Sequence, residues 1–456
     1  MSHARSSAPA PIVLVLLSFL CPTELSLYVE GLRLPPHRVA LIVLFPLALY
    51  RVLTRPDIRL KLFDLLFAAF AVMTTGVFVY HAGGQEGFVY GGSLALESLG
   101  GYLVARAWVR DQAGMVATLR ALFWTIFAAA LIALPETLFG QLFTHDLLAA
   151  VTGYVHPTGV ETRAGLTRAY GTFDHPIHYG TFCAAMLALF VYAEKRRFAQ
   201  RRTTVFLLFA TSLGLSSAPL LCLGLQIAMI IWETTTRTLP SRTTLTLTAL
   251  TGLYIGFSMF SNRTPIAFIA TGMTFDSWTG FYRLQIWEHG MSNVWANPWT
   301  GIGLAEWERP WWMVSSTVDA FWLVVTMRQG IPSFLVLALA ILLLARAVVK
   351  RSRRHADLRV RRLMLGWMMS LIALCLIGAT VHYWNVLYAY FFFFLGLGGA
   401  LADPRRAAAP ALATASARRE PGHPRRPALP GARGPTHEGV FVHPGLPYGR
   451  MLDAPR

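Results

Sequence analysis

Long apolar runs recur along this chain, and they limit the folds that it can adopt. Runs of roughly 17 to 25 residues match the length that an α-helix needs to cross a bilayer. Only 14% of the residues are charged, whereas soluble domains carry about 25%. Because a lipid-exposed backbone must satisfy its own hydrogen bonds, such runs form helices. The sequence therefore predicts an all-α polytopic membrane protein.

About twelve of these runs are predicted to be transmembrane helices. They lie at about 11–27, 38–51, 62–81, 88–107, 117–139, 176–193, 203–216, 218–233, 243–260, 318–346, 362–381 and 385–402. Two long loops, at about 140–175 and 261–317, separate some of them within a single predicted transmembrane domain, 1–402. The Pro-, Arg- and Ala-rich segment 403–456 has few apolar anchors, which predicts a disordered basic tail.

The positive charges are distributed unevenly, and their distribution predicts the topology. A net charge of +17 is compatible with nucleic-acid binding, but the Lys and Arg residues cluster in short turns between apolar runs. The N-terminus and the even-numbered turns carry 23 of these residues, against 7 in the odd-numbered turns. The positive-inside rule then places both termini in the cytoplasm and both long loops outside, with no role for nucleic acid.

The second long loop is polar and rich in tryptophan. It includes FYRLQIWEHGMSNVWANPWTGIGLAEWERPWW, and seven of the chain's 13 tryptophans lie between Trp278 and Trp312. These rings either form an interfacial aromatic belt or line a groove in which sugar rings stack. A loop of this length between membrane helices is uncommon unless it is functional. We therefore expect substrate-binding side chains here, with Trp287, Glu288 and Trp311 as candidates.

Two arginines in the outer loops need an explanation other than topology. Arg168 precedes the motif YGTFDHPIHYG, and Arg283 begins a predicted short helix, RLQIWEHG. The planar guanidinium group suits bidentate capture of phosphate oxygens, which predicts an anion site. After Arg168, His175 is a further candidate site residue, whereas Asp174 is a candidate cap of the helix that begins near Pro176.

Three charged residues are placed in or beside apolar runs. Asp319 is predicted either to cap helix 10 or to act as a general base. Arg328, nine residues later, is costly in lipid unless it faces protein or a water-filled cavity, and Gly330-Ile331-Pro332 predicts a break in that helix. Glu97 in helix 4 is predicted to hydrogen-bond another helix or to belong to the site.

The ordered set of these motifs resembles the O-antigen ligase/polymerase family of bacterial envelope proteins. The pieces that carry the resemblance span helices 4 to 10, about half of the chain, and look most like the subgroup that polymerises exopolysaccharides. They are ESLGGYLVARAWVRD at 97–111, RAYGTFDHPIHYG at 168–180, LSSAPLL at 215–221, RLQIWEHGMSNVWANPWTGIGL at 283–304 and VDAFWLVVTMRQGIPS at 318–333.

The resemblance implies transfer of a glycan from an undecaprenyl diphosphate carrier to a sugar hydroxyl, on the periplasmic side of the inner membrane. By motif position, Arg168 and Arg283 would hold the diphosphate. The candidate substrate-binding residues of this chain are His175, Trp287, Glu288, Trp311 and Arg328. The family needs no metal or other cofactor, and the four cysteines here lack metal-ligand spacing. The implied partners are the carrier-linked oligosaccharide, the bilayer, and other polysaccharide assembly and export proteins.

The chain departs from the pattern of the family at two places, one of which is around Arg328, where an acidic residue that is common before the glycine of the motif is replaced. The other departure is at Asp319-Ala320, where the ligases of the family carry a His-Asn pair. Either Asp319 or another group, such as His175, would then deprotonate the acceptor hydroxyl. The sequence favours a polymerase of exopolysaccharide or O-antigen. The alternatives are a ligase that uses lipid A core, a flippase for lipid-linked sugars, and a structural subunit of an export complex.

Overall fold

A computed structural model describes residues 7–29, 32–154, 159–260 and 277–403. The predicted tail lies outside these residues, apart from Asp403. Within them the chain is mostly helical, and seven helices are long and apolar enough to cross a membrane. The prediction of an all-α membrane protein is therefore confirmed at this level, whereas the number of spans stays a prediction.

The first part of the chain forms seven α-helices and some short elements. The helices are α1 (Ala10–Leu20), α2 (Pro36–Thr54), α3 (Leu62–Ala82), α4 (Gly84–Ala95), α5 (Gly101–Trp108), α6 (Gln112–Phe139) and α7 (Phe143–Thr152). A π-helical turn, Leu96–Gly100, joins α4 to α5, and a 3-10 turn covers Thr23–Leu25. Two antiparallel strand pairs are present: β1 (Leu27–Val29) with β2 (Leu32–Leu34), and β3 (Thr162–Arg163) with β4 (Leu166–Thr167).

The rest of the described chain is helical between short turns. Its helices are α8 (Pro176–Ala184), α9 (Leu187–Ala193), α10 (Arg197–Ser212), α11 (Ser217–Thr236), α12 (Arg242–Phe260), α13 (Ser277–Ala296), α14 (Phe321–Arg354), α15 (Leu358–Ile377) and α16 (Val386–Ala402). Helix is present at each of the twelve predicted positions. The predicted long loops are not wholly irregular, because they contain α7 and α13.

Helix α16 forms the centre of the packed core. Nearly all of its side chains are buried, and it is apolar on every side, as expected of a helix surrounded by protein. It packs against α5, α14, α15 and α8. Tyr102 and Arg106 of α5 lie next to its glycines, so the two backbones approach closely.

Buried ion pairs fix the helix ends around this core. Arg106 is completely buried, and its guanidinium donates to Asp64 of α3 at 3.0 Å and also to Asp403. Lys61 donates to the Ala402 carbonyl at 2.6 Å. An unpaired charge in this position would be strongly destabilising. These contacts therefore tie the end of α16 to α3 and α5.

Glu97 connects two helices at the π-helical turn. Its Oε1 accepts hydrogen bonds from His37 Nε2 at 2.9 Å and from Arg38 Nε at 2.6 Å, both on α2. The prediction of an interhelical hydrogen bond is confirmed. The extra residue of a π-turn rotates the side chains that follow it, and such turns are frequent at functional positions.

Helix α14 is interrupted at Gly330, as the sequence predicted. Gly330 has φ 82° and ψ 165°, a conformation that is essentially restricted to glycine. A Cβ atom at this position would lie 2.2 Å from the carbonyl oxygen of Trp299. The Ile331 N–H, which the interrupted helix leaves unpaired, donates to the Pro298 carbonyl at 2.8 Å. The turn at residues 298–303 therefore occupies the break.

Replacing Gly330 by alanine should strongly destabilise the protein. The backbone conformation alone costs a non-glycine residue about 1–3 kcal/mol, and the contact with the Trp299 carbonyl adds to this cost. Thermal unfolding in detergent should show a lower midpoint for Gly330→Ala. Gly224→Ala in α11 is the matched control, because its Cβ would have no neighbour within 4 Å. Equal midpoints for the two variants would contradict this account of the break.

Candidate functional site

A cavity of about 580 Å³ lies where α3, α4, α8 and α14 meet the turn between α15 and α16. Of the residues predicted from the sequence, Asp319, Arg328 and His175 line it. Its other polar and aromatic lining includes Tyr90, His178, Ser316, Thr317, Gln329, His382, Tyr383, Trp384 and Tyr388. This mixture of a few charged groups with aromatic walls is typical of a site for small polar ligands.

Asp319 lies in the cavity wall just before α14. Its predicted role as helix cap is wrong, because α14 has Ala320 at its N-cap and no side-chain cap bond. In the part of the chain that the structure describes, no hydrogen bond holds the carboxylate of Asp319. Burial raises the pKa of Asp319, and the charge of Arg283 opposes this shift. The carboxylate is therefore available to accept a proton.

Arg283 on α13 provides a buried positive charge beside Asp319. Its side chain is 7% exposed, and its Nε atom has no hydrogen-bond partner among the described residues. Burial lowers the pKa of Arg283; Asp319 opposes the shift and Arg168 adds to it. A buried guanidinium donor without an acceptor is rare and needs an explanation, such as a ligand that supplies the acceptor.

Arg168 follows β4 and completes this charged group. Its guanidinium forms an ion pair with Glu161, and its Nε donates to the Gly214 carbonyl at 3.4 Å. The positive charge of Arg168 acts on Arg283, as the pKa of Arg283 shows. Arg168, Arg283 and Asp319, which are far apart in sequence, are thus brought together, and Asp319 connects them to the cavity.

Arg328 lines the cavity and also holds the turn that fills the helix break. Its Nη1 donates to the carbonyl oxygens of Gly303 at 3.0 Å and Ala305 at 2.5 Å. The Gly303 N–H returns a bond to the Arg328 carbonyl at 3.0 Å. An arginine in an apolar helix is thus accommodated by protein carbonyls, in agreement with the expectation that it faces protein or a cavity.

The turn between α15 and α16 presents His382 and Trp384 to the cavity. His178 Nε2 lies 3.0 Å from the His382 carbonyl, and the Phe321 N–H donates to the Val381 carbonyl at 3.1 Å. The ring of Trp384 packs on that of His178. Burial, followed by the charge of Arg328, lowers the pKa of His382 to about 4. Its imidazole is therefore neutral near pH 7.

His175 lines the cavity but has a structural task as well. Its Nδ1 accepts the Ile177 N–H at 3.1 Å, so His175 is the N-cap of α8. The candidate cap Asp174 instead accepts hydrogen bonds from Thr23 and from Asn385, the latter at 2.8 Å. The predicted capping role of Asp174 is therefore wrong, and its carboxylate joins three segments of the chain.

Three predicted substrate-binding residues lie outside the lining of this cavity. Trp287 is half-buried, and its Nε1 donates to the Ala379 carbonyl at 2.7 Å, which fixes the turn that carries His382. Glu288 is exposed on α13 and accepts a hydrogen bond from Gln285. Trp311 is 93% exposed. The tryptophan that does line the cavity is Trp384.

Sequence reasoning did not identify His382, Trp384 or Tyr90 as site residues. The first two belong to VHYWN, a polar and aromatic turn between the last two apolar runs. A histidine and a tryptophan in so short a turn were a usable signal. Tyr90 lies in a segment of ordinary composition, and its role depends on how α4 packs.

Comparison with models of known protein families gives no match for this chain, and comparison with curated proteins gives none. The resemblance to the O-antigen ligase/polymerase family therefore rests on the ordered motifs in the sequence. The chemistry of the cavity has to be inferred from its residues.

Replacing Arg328 by alanine should loosen the turn at residues 298–305. The Gly303 and Ala305 carbonyls would each lose a charged donor, which costs about 1–3 kcal/mol. We expect a lower unfolding midpoint in detergent and faster proteolysis of the tryptophan-rich loop. Arg346→Ala, at an exposed position further along α14, is the control. If both variants unfold alike, the turn is held by other contacts.

Proposed function

We propose that this protein transfers a glycan from an undecaprenyl diphosphate carrier to a sugar hydroxyl, in the polymerisation of exopolysaccharide or O-antigen. The observation that carries the proposal is the buried guanidinium of Arg283, whose Nε has no partner among the described residues. Its charge also acts on Asp319, which lines a cavity of about 580 Å³. The site therefore offers an anion-binding group and a proton acceptor that are electrostatically linked.

The arrangement of charges supports binding of a diphosphate. Glu161 is paired with Arg168, whereas Arg283 has Asp319 as an electrostatic neighbour and an Nε that is not hydrogen-bonded among the described residues. Arg283 can donate to a phosphate oxygen, and Arg168 adds positive potential behind it. Because both groups lie in a desolvated site, their interaction with an anion is stronger than it would be in water.

The proposed reaction is a direct displacement at the anomeric carbon of the donor sugar. The acceptor oxygen forms a bond to this carbon, and the bond from the carbon to the diphosphate oxygen breaks. Undecaprenyl diphosphate departs with the bonding electron pair, while the hydroxyl proton passes to Asp319. Stabilisation of the developing charge by Arg283 lowers the barrier, and in-line attack inverts the anomeric centre.

Asp319 is the best candidate for the base. Its carboxylate faces the cavity and has no other hydrogen-bonding task among the described residues, whereas His175 caps α8. His382 is a neutral neighbour that can hydrogen-bond the acceptor hydroxyl and orient it. Trp384 offers an aromatic face on which a sugar ring can stack.

The positive-inside pattern supports a periplasmic position for the reaction. Residues that line the cavity flank the odd-numbered turns, which are poor in Lys and Arg. Twelve spans with both termini in the cytoplasm of a bacterial inner membrane would place all these turns outside. The donor would then meet the site from the leaflet in which the carrier presents its glycan.

Alanine at Arg283 or Arg168 should abolish polymer formation. Loss of one donor to a developing anion typically costs on the order of 100-fold or more in rate. A deletion strain complemented with each variant should lose surface polysaccharide and accumulate carrier-linked single repeats, while Arg283→Lys should keep part of the activity. Accumulation of full-length polymer on the carrier, with bare lipid A core, would instead identify a ligase.

Arg309→Ala is the matched control for these variants. Arg309 also lies in the tryptophan-rich loop, where it pairs with the exposed Glu306 rather than with Asp319. Protein levels in the membrane fraction should be similar for all variants. Normal polymer with both Arg168→Ala and Arg283→Ala would exclude the proposed function.

Activity should fall with acidification earlier than an ordinary aspartate would allow. The base must be ionised, and the pKa of Asp319 is raised, so activity is lost as the pH falls through this raised value. Purified protein with the carrier-linked repeat from the deletion strain should show this acidic limb. Asp319→Asn should reduce the rate on the order of 100-fold and remove the limb. An unchanged profile in Asp319→Asn would rule out Asp319 as the base.

A further inference from the structure

A second, open groove of about 770 Å³ lies between the start of α6, the end of α9 and the start of α15. Its walls combine charged and apolar side chains. The charged ones are Arg120, Glu194, Lys195, Asp357, Arg359 and Arg362. These residues flank the even-numbered turns, which the charge distribution assigns to the cytoplasmic side.

Four cations and two carboxylates line this groove. Among the described residues, no carboxylate lies within ion-pair distance of any of the four cations. Asp357 is engaged as the N-cap of α15, where it accepts the Arg359 N–H at 2.8 Å. Arg362 lies over the ring of Tyr192 at 5.8 Å from its centroid. The groove therefore keeps a net positive charge.

The shape of the groove suits an amphiphile rather than a free ion. Val116 of α6 and Leu363 of α15 form an apolar wall of the groove. The first turns of α6 and α15 both border the groove, so their helix dipoles add positive potential to that of the four side chains. The positive-inside rule explains why positive charges lie in these turns, but it does not explain why they surround an apolar recess.

We propose that this groove binds the headgroup of an anionic phospholipid of the surrounding bilayer, with the glycerol and upper acyl carbons against the apolar wall. The phosphate would lie among Arg120, Lys195, Arg359 and Arg362. Basic recesses between membrane helices on the cytoplasmic side bind anionic lipid headgroups in this manner. The inference depends on the membrane location of the protein and is independent of the proposed glycosyl transfer.

The test compares lipids added to the full-length protein purified in a neutral detergent. Phosphatidylglycerol should raise the unfolding midpoint and co-purify in mass spectrometry, whereas phosphatidylcholine should do neither. Each cation near an anionic lipid surface contributes about fivefold in affinity. The combined variant R120Q/R359Q/R362Q should therefore bind phosphatidylglycerol on the order of 100-fold more weakly.

R353Q/R354Q is the matched control, because these arginines are exposed at the end of α14 and do not line the groove. It should keep the response to phosphatidylglycerol. The proposal is overturned if the combined groove variant responds like the wild type, or if the control loses the response as well. It is also overturned if inorganic phosphate alone reproduces the stabilisation, since a free-anion site would then explain the cations.

Discussion

The insertion of the turn at residues 298–303 into the break of α14 is the constraint on which the site depends. A helix that stops and restarts leaves backbone groups without partners, and these must be satisfied inside the protein. Here the Pro298 carbonyl accepts the Ile331 N–H, and the N–H groups of Ile302 and Gly303 donate to the Met327 and Arg328 carbonyls. As a result, a polar loop is fixed to a membrane helix at a defined position. Asp319, at the start of the same helix, is positioned relative to this loop.

The packing of the last turn extends this constraint across the cavity. Trp287 of α13 and His178 of α8 both bond to backbone carbonyls of the turn between α15 and α16. Asn385 of the same turn bonds to Asp174. Three separate segments thus meet around the cavity without a continuous sheet or helix to align them. Two hydrogen bonds to main-chain carbonyls and one between side chains provide this alignment.

Periodicity and hydropathy were sufficient to predict the helices, because burial in lipid imposes a length and an apolar composition on each of them. The break at Gly330 could be predicted as well, because the sequence Gly-Ile-Pro is rarely compatible with an uninterrupted helix. The sequence indicated Arg168, Arg283 and Asp319 as candidates on separate grounds. Their proximity depends on the path of α13 and could not be read from spacing. The same holds for Glu97, whose partners His37 and Arg38 lie 60 and 59 positions away.

The errors have a common physical origin in local pattern rules. Asp174 and Asp319 each precede a predicted helix start, a position where aspartate commonly caps. In both cases the N-cap is the next residue, His175 for α8 and Ala320 for α14. The carboxylates were thereby released for other partners: Asp174 joins three segments, and Asp319 faces the cavity beside Arg283. Because neither aspartate caps its helix, Asp174 can have a structural role and Asp319 can take part in chemistry.

Since Arg283 and Asp319 are both desolvated, a bound diphosphate would favour the charged arginine and disfavour ionisation of the aspartate. Carrier binding and proton transfer at this site are therefore electrostatically coupled.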